Sequence, residues 1–225
     1  MQASKPRSKS FPFNIYSFVE EQFGVGLTLI GQIMILWFKT LSLIARGKVN
    51  IAETFRQAYM IGVKSFVVVG ITGLFVGFAM SLQISRELVA FGADTAIGGV
   101  VALALIREIG PITAGIMVAG RVGSAIAAEI TTMMITEQID ALKVMRIDPV
   151  EFLVVPRYTA GLIMIPVLSI YAMFIGLVAG IFIANAAANL PAATFLDSVK
   201  QTILDRDFGV HFLKSAINAS IIIIY

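Results

Sequence analysis

The sequence predicts an all-α integral membrane protein, and two observations carry that prediction. Of its 225 residues, 58% are hydrophobic and only 14% are charged, with a mean hydropathy of +0.90. A soluble core of this size cannot hide so much apolar side chain. The apolar residues also fall in long charge-free runs bounded by Lys, Arg, Asp and Glu, the pattern of helices that cross a hydrocarbon layer about 30 Å thick. Other classes are excluded by what is missing. There is no cysteine, and His211 stands alone, so no disulfide framework, thiolate metal site or histidine metal centre can form. The net charge of +3 is modest, and the basic residues are not interleaved with aromatics on a polar stretch, which argues against nucleic-acid binding.

The first residues, MQASKPRSKSFPFN, are basic and polar, with no short apolar run and small-residue cleavage site after them. They read as a retained, flexible cytoplasmic tail over residues 1–13, with Lys5, Arg7 and Lys9 available to anionic headgroups. Residues 14–63 read as an interfacial, elbow-like region. The run 22–38 is uncharged but carries Gly24, Gly26, Gly31 and Gln32 and falls short of the roughly 20 apolar residues of a span. An interfacial or re-entrant helix is expected there, with Trp37, Lys39, Arg46 and Lys48 as its aromatic and basic anchor.

Residues 64–225 read as the transmembrane domain. Its first span is the charge-free run 65–85, between Lys64 and Arg86, with Gly73 and Gly77 as a small-xxx-small pair for close helix contact. A second apolar stretch begins near Ala96 and passes Gly120, interrupted by Arg107, Glu108 and Pro111; a third runs from Tyr158 to Leu196, with a second pair at Gly176 and Gly180. An extracytoplasmic segment is expected after Pro191. Beyond the polar patch 197–207, apolar character resumes at Phe212 and is still running at Tyr225, so the chain is expected to stop inside a membrane helix. Lys39, Arg46, Lys48, Arg56 and Lys64 precede the first span, and only Arg86 follows it closely. Lys143, Arg146 and Arg157 lie between the second and third spans. Both distributions place the N-terminus in the cytoplasm.

Arg107 and Glu108 lie about 16 Å along their helix from Ala96, where a charge costs roughly 2.5–3.5 kcal/mol on insertion scales. Adjacent residues point in different directions, so each requires its own partner on another helix or in a polar cavity. A structural ion pair and a gating role fit equally well. Pro111 removes a backbone hydrogen bond beside them and predicts a kink. In Gly120-Arg121-Val122-Gly123-Ser124-Ala125, Arg121 can snorkel to headgroups or meet an acid. Ser124 has no base beside it, and His211 reads as a packed or interfacial histidine.

The loop 129–157 carries the most information. Ile135, Ile139, Leu142 and Met145 recur at helical spacing, with Glu137, Asp140 and Lys143 on another face, predicting a short amphipathic helix outside the membrane. Asp148-Pro149-Val150-Glu151 reads as a helix start with Asp148 as N-cap and Glu151 closing a capping box. The helix before it is either a connector lying on headgroups or a docking element whose charged face enters a groove on a partner.

These residues closely resemble the MlaE/YrbE permease family of Mla-type ABC lipid transporters. The resemblance rests on Arg107-Glu108-Ile109-Gly110-Pro111, the Gly120–Ala125 motif, Ala128-Glu129-Ile130, Glu137-Gln138-Ile139-Asp140-Ala141-Leu142, Met145, Asp148-Pro149 and Pro156-Arg157. It is dense from about Lys64 to Arg157 and departs at Thr131 and Arg146, where small residues are expected. It implies an N-terminal interfacial helix plus about five transmembrane helices, the last one or more truncated here, working as a homodimer; a bacterial inner membrane is expected because no transit peptide is visible. It further implies two cytoplasmic ATPases that hold ATP and Mg, an MCE-domain protein on the other side, and phospholipid or a related lipid as cargo. By the same resemblance, residues 135–145 form the coupling helix contacted by the ATPase through Glu137, Gln138 and Asp140, in a coupling region that extends to Glu129, Lys143, Asp148 and Arg157. The chain itself has no Gly-x-x-x-x-Gly-Lys-Ser/Thr phosphate loop, so it is expected to bind no cofactor and to draw energy from a partner. Phe75, Phe78 and Met80 are the expected lining of an apolar lipid cavity.

Two other classes compete with the permease. A secondary transporter or channel would use Arg107, Glu108 and Glu129 in an ion path, although such proteins show longer paired repeats. A scaffold would only recruit a partner through the cytoplasmic helix. A membrane enzyme is disfavoured, because no nucleophile, base and orienting group can be named together.

Overall fold

The structure, a computed structural model, describes residues 15–224, with side chains from residue 26 onward. The basic tail with Lys5, Arg7 and Lys9 lies outside the described residues. Those described form seven helices and no strand: α1 (Ile15–Ala45), α2 (Ile51–Ala90), α3 (Asp94–Ile135), α4 (Gln138–Val144), α5 (Val150–Ala188), α6 (Ala192–Thr202) and α7 (Asp205–Ile224). Five are long and apolar enough to cross a membrane: α1 through Gly26–Ala45, α2, α3, α5 and α7.

Local chemistry sets the boundaries. Gly47 (φ +72°) and Gly92 (φ +69°) take the left-handed conformation that closes α1 and α2. The next amide in each case reaches back five residues, Lys48 to the Leu43 carbonyl and Ala93 to the Leu88 carbonyl. Asn50 caps α2, its Oδ1 accepting from the Glu53 amide at 3.2 Å. Asn189 (φ +51°) ends α5 without glycine, which asparagine tolerates better than most residues.

Three expectations are corrected. α1 is one unbroken helix and does not turn back; a helical glycine costs only about 1 kcal/mol relative to alanine, and Gly26 and Gly31 have open space around them. This removes the re-entrant alternative and leaves the interfacial one; by length and composition, the 20 residues from Gly26 to Ala45 are also enough to span. Trp37 and Lys39 are also not free anchors. The indole N–H donates to the Tyr158 hydroxyl at 3.0 Å, and Lys39 pairs with Asp148 at 2.7 Å. Finally, α7 begins at Asp205, seven residues before the run that opens at Phe212, with Asp207 and His211 on its buried face. The proposed boundary at 63/64 falls within α2, which runs unbroken through it.

α2 and α5 form the central pair. Gly62, Ser65, Gly70, Gly73, Gly77, Ser81 and Ser85 make a buried stripe of small residues along α2, and the expected glycine pairs meet here. A Cβ at Gly77 would lie 2.3 Å from the Gly176 carbonyl oxygen, and one at Gly73 2.8 Å from that of Ala172, so the two backbones touch. Ser81 Oγ donates to the Gly180 carbonyl at 2.9 Å. One apolar core unites Ile61, Val69, Ala114, Val118, Ile165 and Leu168. A second, around Ile97, Val101, Leu105 and Phe195, seats α6 against the start of α3. There a Cβ at Gly98 would lie 2.2 Å from the Phe195 carbonyl oxygen.

Candidate functional site

The intramembrane charges lie where α3 changes its winding. Leu105–Ile109 is a π-helical turn, in which the Gly110 amide bonds to the Leu105 carbonyl rather than that of Ile106, leaving the Ile106 carbonyl free. One residue on, Pro111 has no N–H to offer Arg107. Two consecutive carbonyls thus lose their helical donors. α7 supplies replacements: His211 Nδ1 lies 2.7 Å from the Ile106 oxygen, and Lys214 Nζ donates to the Arg107 oxygen at 2.9 Å.

The same face of α7 answers the charges. Asp207 accepts from Arg107 Nε at 2.8 Å and pairs with its terminal nitrogen at 2.7 Å. Lys214 also pairs with Glu108, and Asn218 Nδ2 donates to the Pro111 carbonyl at 3.3 Å. Asp207, His211, Lys214 and Asn218 are spaced four, three and four residues apart, a single stripe on a helix. The requirement for separate partners on another helix is met in full. The expected kink resolves into a π turn before the proline, and a second π turn, Ala119–Gly123, carries Arg121.

Because a carbonyl only accepts, His211 must carry a proton on Nδ1, and its Nε2 lies 2.8 Å from Ser169 Oγ, which also donates to the Pro166 carbonyl. Ser169 in turn contacts Ser215 Oγ at 2.8 Å. The serine and histidine are both buried, and the ring's other nitrogen meets backbone rather than a carboxylate. The cluster therefore satisfies buried polar groups and offers no open face to a substrate. Ser124 is spent within its own helix, donating to the Gly120 carbonyl.

The expected coupling region separates into two groups. Glu137, Gln138, Asp140 and Lys143 are exposed, with Lys143 and Asp140 paired at 2.8 Å. Glu129, Asp148 and Arg157 are engaged inside the chain. Arg157, almost wholly buried, pairs with Glu129 at 2.8 Å and ties the end of α3 to the start of α5. Asp148 pairs with Lys39, and its Oδ1 accepts from the Val150 amide at 3.0 Å; the Lys39 hydrogen bond holds its carboxyl below the ordinary value. Glu151 closes no capping box, since its carboxylate accepts from Lys48 at 2.9 Å.

The helix itself is shorter than expected. Glu137 adopts φ +57° and breaks the run, so Ile135 belongs to α3 and α4 holds only Gln138–Val144. Arg146, at φ +59°, turns the chain after α4. Of the predicted stripe only Leu142 is buried, whereas Ile135, Val144 and Met145 are exposed. Val144 lay outside the spacing pattern and is the most exposed of the three, at 84%.

Phe75 points outward at 64% exposure, while Phe78 and Met80 are half-buried. Cavities with strongly apolar walls lie elsewhere. One of about 420 Å³ opens between α1 and α7 at Met34, Trp37 and Ile221, and one of about 480 Å³ lies at Phe55, Tyr59 and Met164.

Residues 54–225 match the family model described as Permease MlaE. A probable ABC transporter permease protein of Synechocystis is 40% identical over 181 residues, covering 80% of this chain and 69% of the relative. The chloroplastic protein TRIGALACTOSYLDIACYLGLYCEROL 1 of Arabidopsis thaliana is 35% identical over 179 residues, and the chain spans about half of its length, 51%. The intermembrane phospholipid transport system permease protein MlaE of Haemophilus influenzae is 36% identical over 161 residues, covering 70% of this chain and 62% of the relative. On a match that takes in the π turns, α4 and the α3/α7 seam, the chain belongs to the MlaE permease family.

Proposed function

We propose that this chain is the membrane-spanning permease subunit of an ABC transporter that moves phospholipid or a related lipid between membranes, driven by a separate ATPase. The observation that carries the reading is α4. It is a seven-residue helix with an exposed acidic face and exposed Val144 and Met145 beside it, held out from the bundle by the Glu129–Arg157 and Lys39–Asp148 pairs. Such an element suits insertion into a groove on a partner. ATP and Mg belong to that partner in this reading.

A homodimer and a lipid-binding MCE-domain partner belong to the same proposal and follow the family; a cytoplasmic N-terminus, from the Lys and Arg distribution, and a bacterial inner membrane are proposed with them. The pairing of Arg107 with Asp207 and of Glu108 with Lys214 favours a lock between helices over a string of ionisable groups along a water path. Phe75, Phe78 and Met80 are retained as candidates for the lining of a lipid cavity.

The reading is tested by co-purifying the full-length protein with its ATPase in mild detergent and measuring ATP-dependent lipid transfer between vesicles. Glu137→Lys is expected to abolish ATPase capture and transfer without lowering the melting temperature. Unchanged capture and transfer in that variant would remove α4 as the coupling element.

A further inference from the structure

Between α2 and α3, at the end of the bundle that carries α4, lies a cavity of about 340 Å³. Ile61, Val122 and Ile126 give it an apolar wall, and Lys64, Arg121 and Glu129 stand at its polar side. The three charges are not equivalent. Glu129 is committed to Arg157, whereas Lys64 and Arg121 take part in none of the ion pairs or side-chain hydrogen bonds among the described residues. On the same wall the hydroxyl of Ser65, a residue 1% exposed, has no hydrogen-bond partner. Buried hydroxyls are nearly always paired, and the side chains of Lys64 and Arg121, both exposed at the mouth of the cavity, are free to meet an anion there.

We infer that this cavity binds the phosphate headgroup of an anionic phospholipid, with Lys64 and Arg121 on the phosphate oxygens and the first carbons of an acyl chain against Ile61 and Ile126. Charge complementarity selects the occupant. Both cations are donors without acceptors, Arg121 brings a planar fork that matches phosphate, and the wall suits a chain that a free anion lacks. The volume lies within the range of small-ligand sites, about 300–1,000 Å³. Arg121 reaches the cavity from the Ala119–Gly123 π turn, where the changed winding alters the direction of its side chain relative to a regular helix. The inference rests on the lipid-permease reading and adds to it the leaflet end and the headgroup charge that the protein holds.

The experiment titrates the full-length protein in mild detergent with a fluorescent phosphatidylglycerol and, separately, with a fluorescent phosphatidylcholine. Wild type is expected to prefer phosphatidylglycerol by about tenfold or more, the scale of one or two charge-assisted hydrogen bonds. K64Q/R121Q should lose that preference, K64R/R121K should keep most of it, and K200Q, on the distant α6, should keep all of it. An unchanged preference in K64Q/R121Q would overturn the site. Complete displacement of the lipid by millimolar inorganic phosphate would also overturn it, by making the ligand a free anion. If K64Q/R121Q fails to fold, as read by its melting temperature, the single variants K64Q and R121Q serve instead, and loss of preference in neither overturns the site. Because binding is read without ATP or ATPase, failure of the transfer assay would sink the permease reading while leaving this result intact.

Discussion

The seam between α2 and α5 and the seam between α3 and α7 join helices by opposite means. The first removes side chains until backbones touch, at Gly73 with Ala172 and Gly77 with Gly176, and adds two hydrogen bonds, from Ser81 to Gly180 and between Thr54 and Thr159. The second keeps long polar side chains and gives each a partner: Arg107 with Asp207, Glu108 with Lys214, and His211 with the freed Ile106 carbonyl. In a bilayer, helices gain nothing by hiding apolar surface from lipid, so close packing and interhelical hydrogen bonds are the available attractions. One seam uses the first almost alone and the other uses the second. The difference bears on motion. Touching backbones leave one well-packed arrangement, whereas a ladder of discrete pairs built on irregular π turns can exchange partners one at a time.

The comparison can be broken most severely at Gly77. Gly77→Leu would drive a side chain into the Gly176 carbonyl, and no rotamer relieves a contact with backbone. Its cost should exceed the ~1–3 kcal/mol of ordinary overpacking, with loss of folded protein in size-exclusion chromatography. Arg107→Ala comes next. It removes the cation that Asp207 pairs with, leaving that carboxylate only the Leu204 amide, and should lower the melting temperature, whereas R107A/D207A should recover much of that loss in thermal unfolding. A double variant no more stable than Arg107→Ala would show that the pair is not an independent unit. His211→Ala strands the Ile106 carbonyl and should cost roughly 1–3 kcal/mol, and Ser81→Ala in the packed seam about 1 kcal/mol. Equal losses in these two would contradict the division between the seams.

The smallest effect is a pH dependence outside both seams. The carboxyl of Asp148 is lowered from 3.8, first by its hydrogen bond with Lys39. A depressed folded value means that the pair's contribution is complete above the unfolded value near 4 and is lost as pH falls through the lower folded one. Lys39→Met should therefore reduce the melting temperature slightly at pH 6, with the difference shrinking below about pH 4. A difference that persists at acid pH would assign the effect to lost packing by the lysine stem.

The packed seam was legible because its signal is local. Gly73 and Gly77, and Gly176 and Gly180, sit four apart on charge-free runs, and four-residue spacing defines a helix face. The polar seam was legible only on one side. Arg107 and Glu108 announced a need for partners, but Asp207 stood at the edge of a polar patch and Lys214 and Asn218 inside an apolar run. Their shared face appears only once α7 is known to start at Asp205. A polar stripe with steps of four, three and four was present in the sequence and would have found them. The break at Glu137 had no such signal, since a non-glycine residue in the left-handed region is imposed by the chain around it. The same holds for Glu129 with Arg157, whose pairing closes a loop too long for periodicity to read.

The contact of Gly77 with Gly176 also carries a genetic consequence. Every residue reachable from a glycine codon by one base change brings a Cβ, and at Gly77 and Gly98 that atom meets a backbone oxygen at 2.3 and 2.2 Å. These codons therefore have no neutral missense neighbours, while those of Gly31 and Gly120, with nothing within 4 Å of the added atom, are free of that constraint. Saturation mutagenesis should show Gly77 and Gly98 as the least tolerant glycines, Gly73 next with its 2.8 Å approach, and Gly31 and Gly120 as tolerant, a pattern that hydropathy alone does not distinguish.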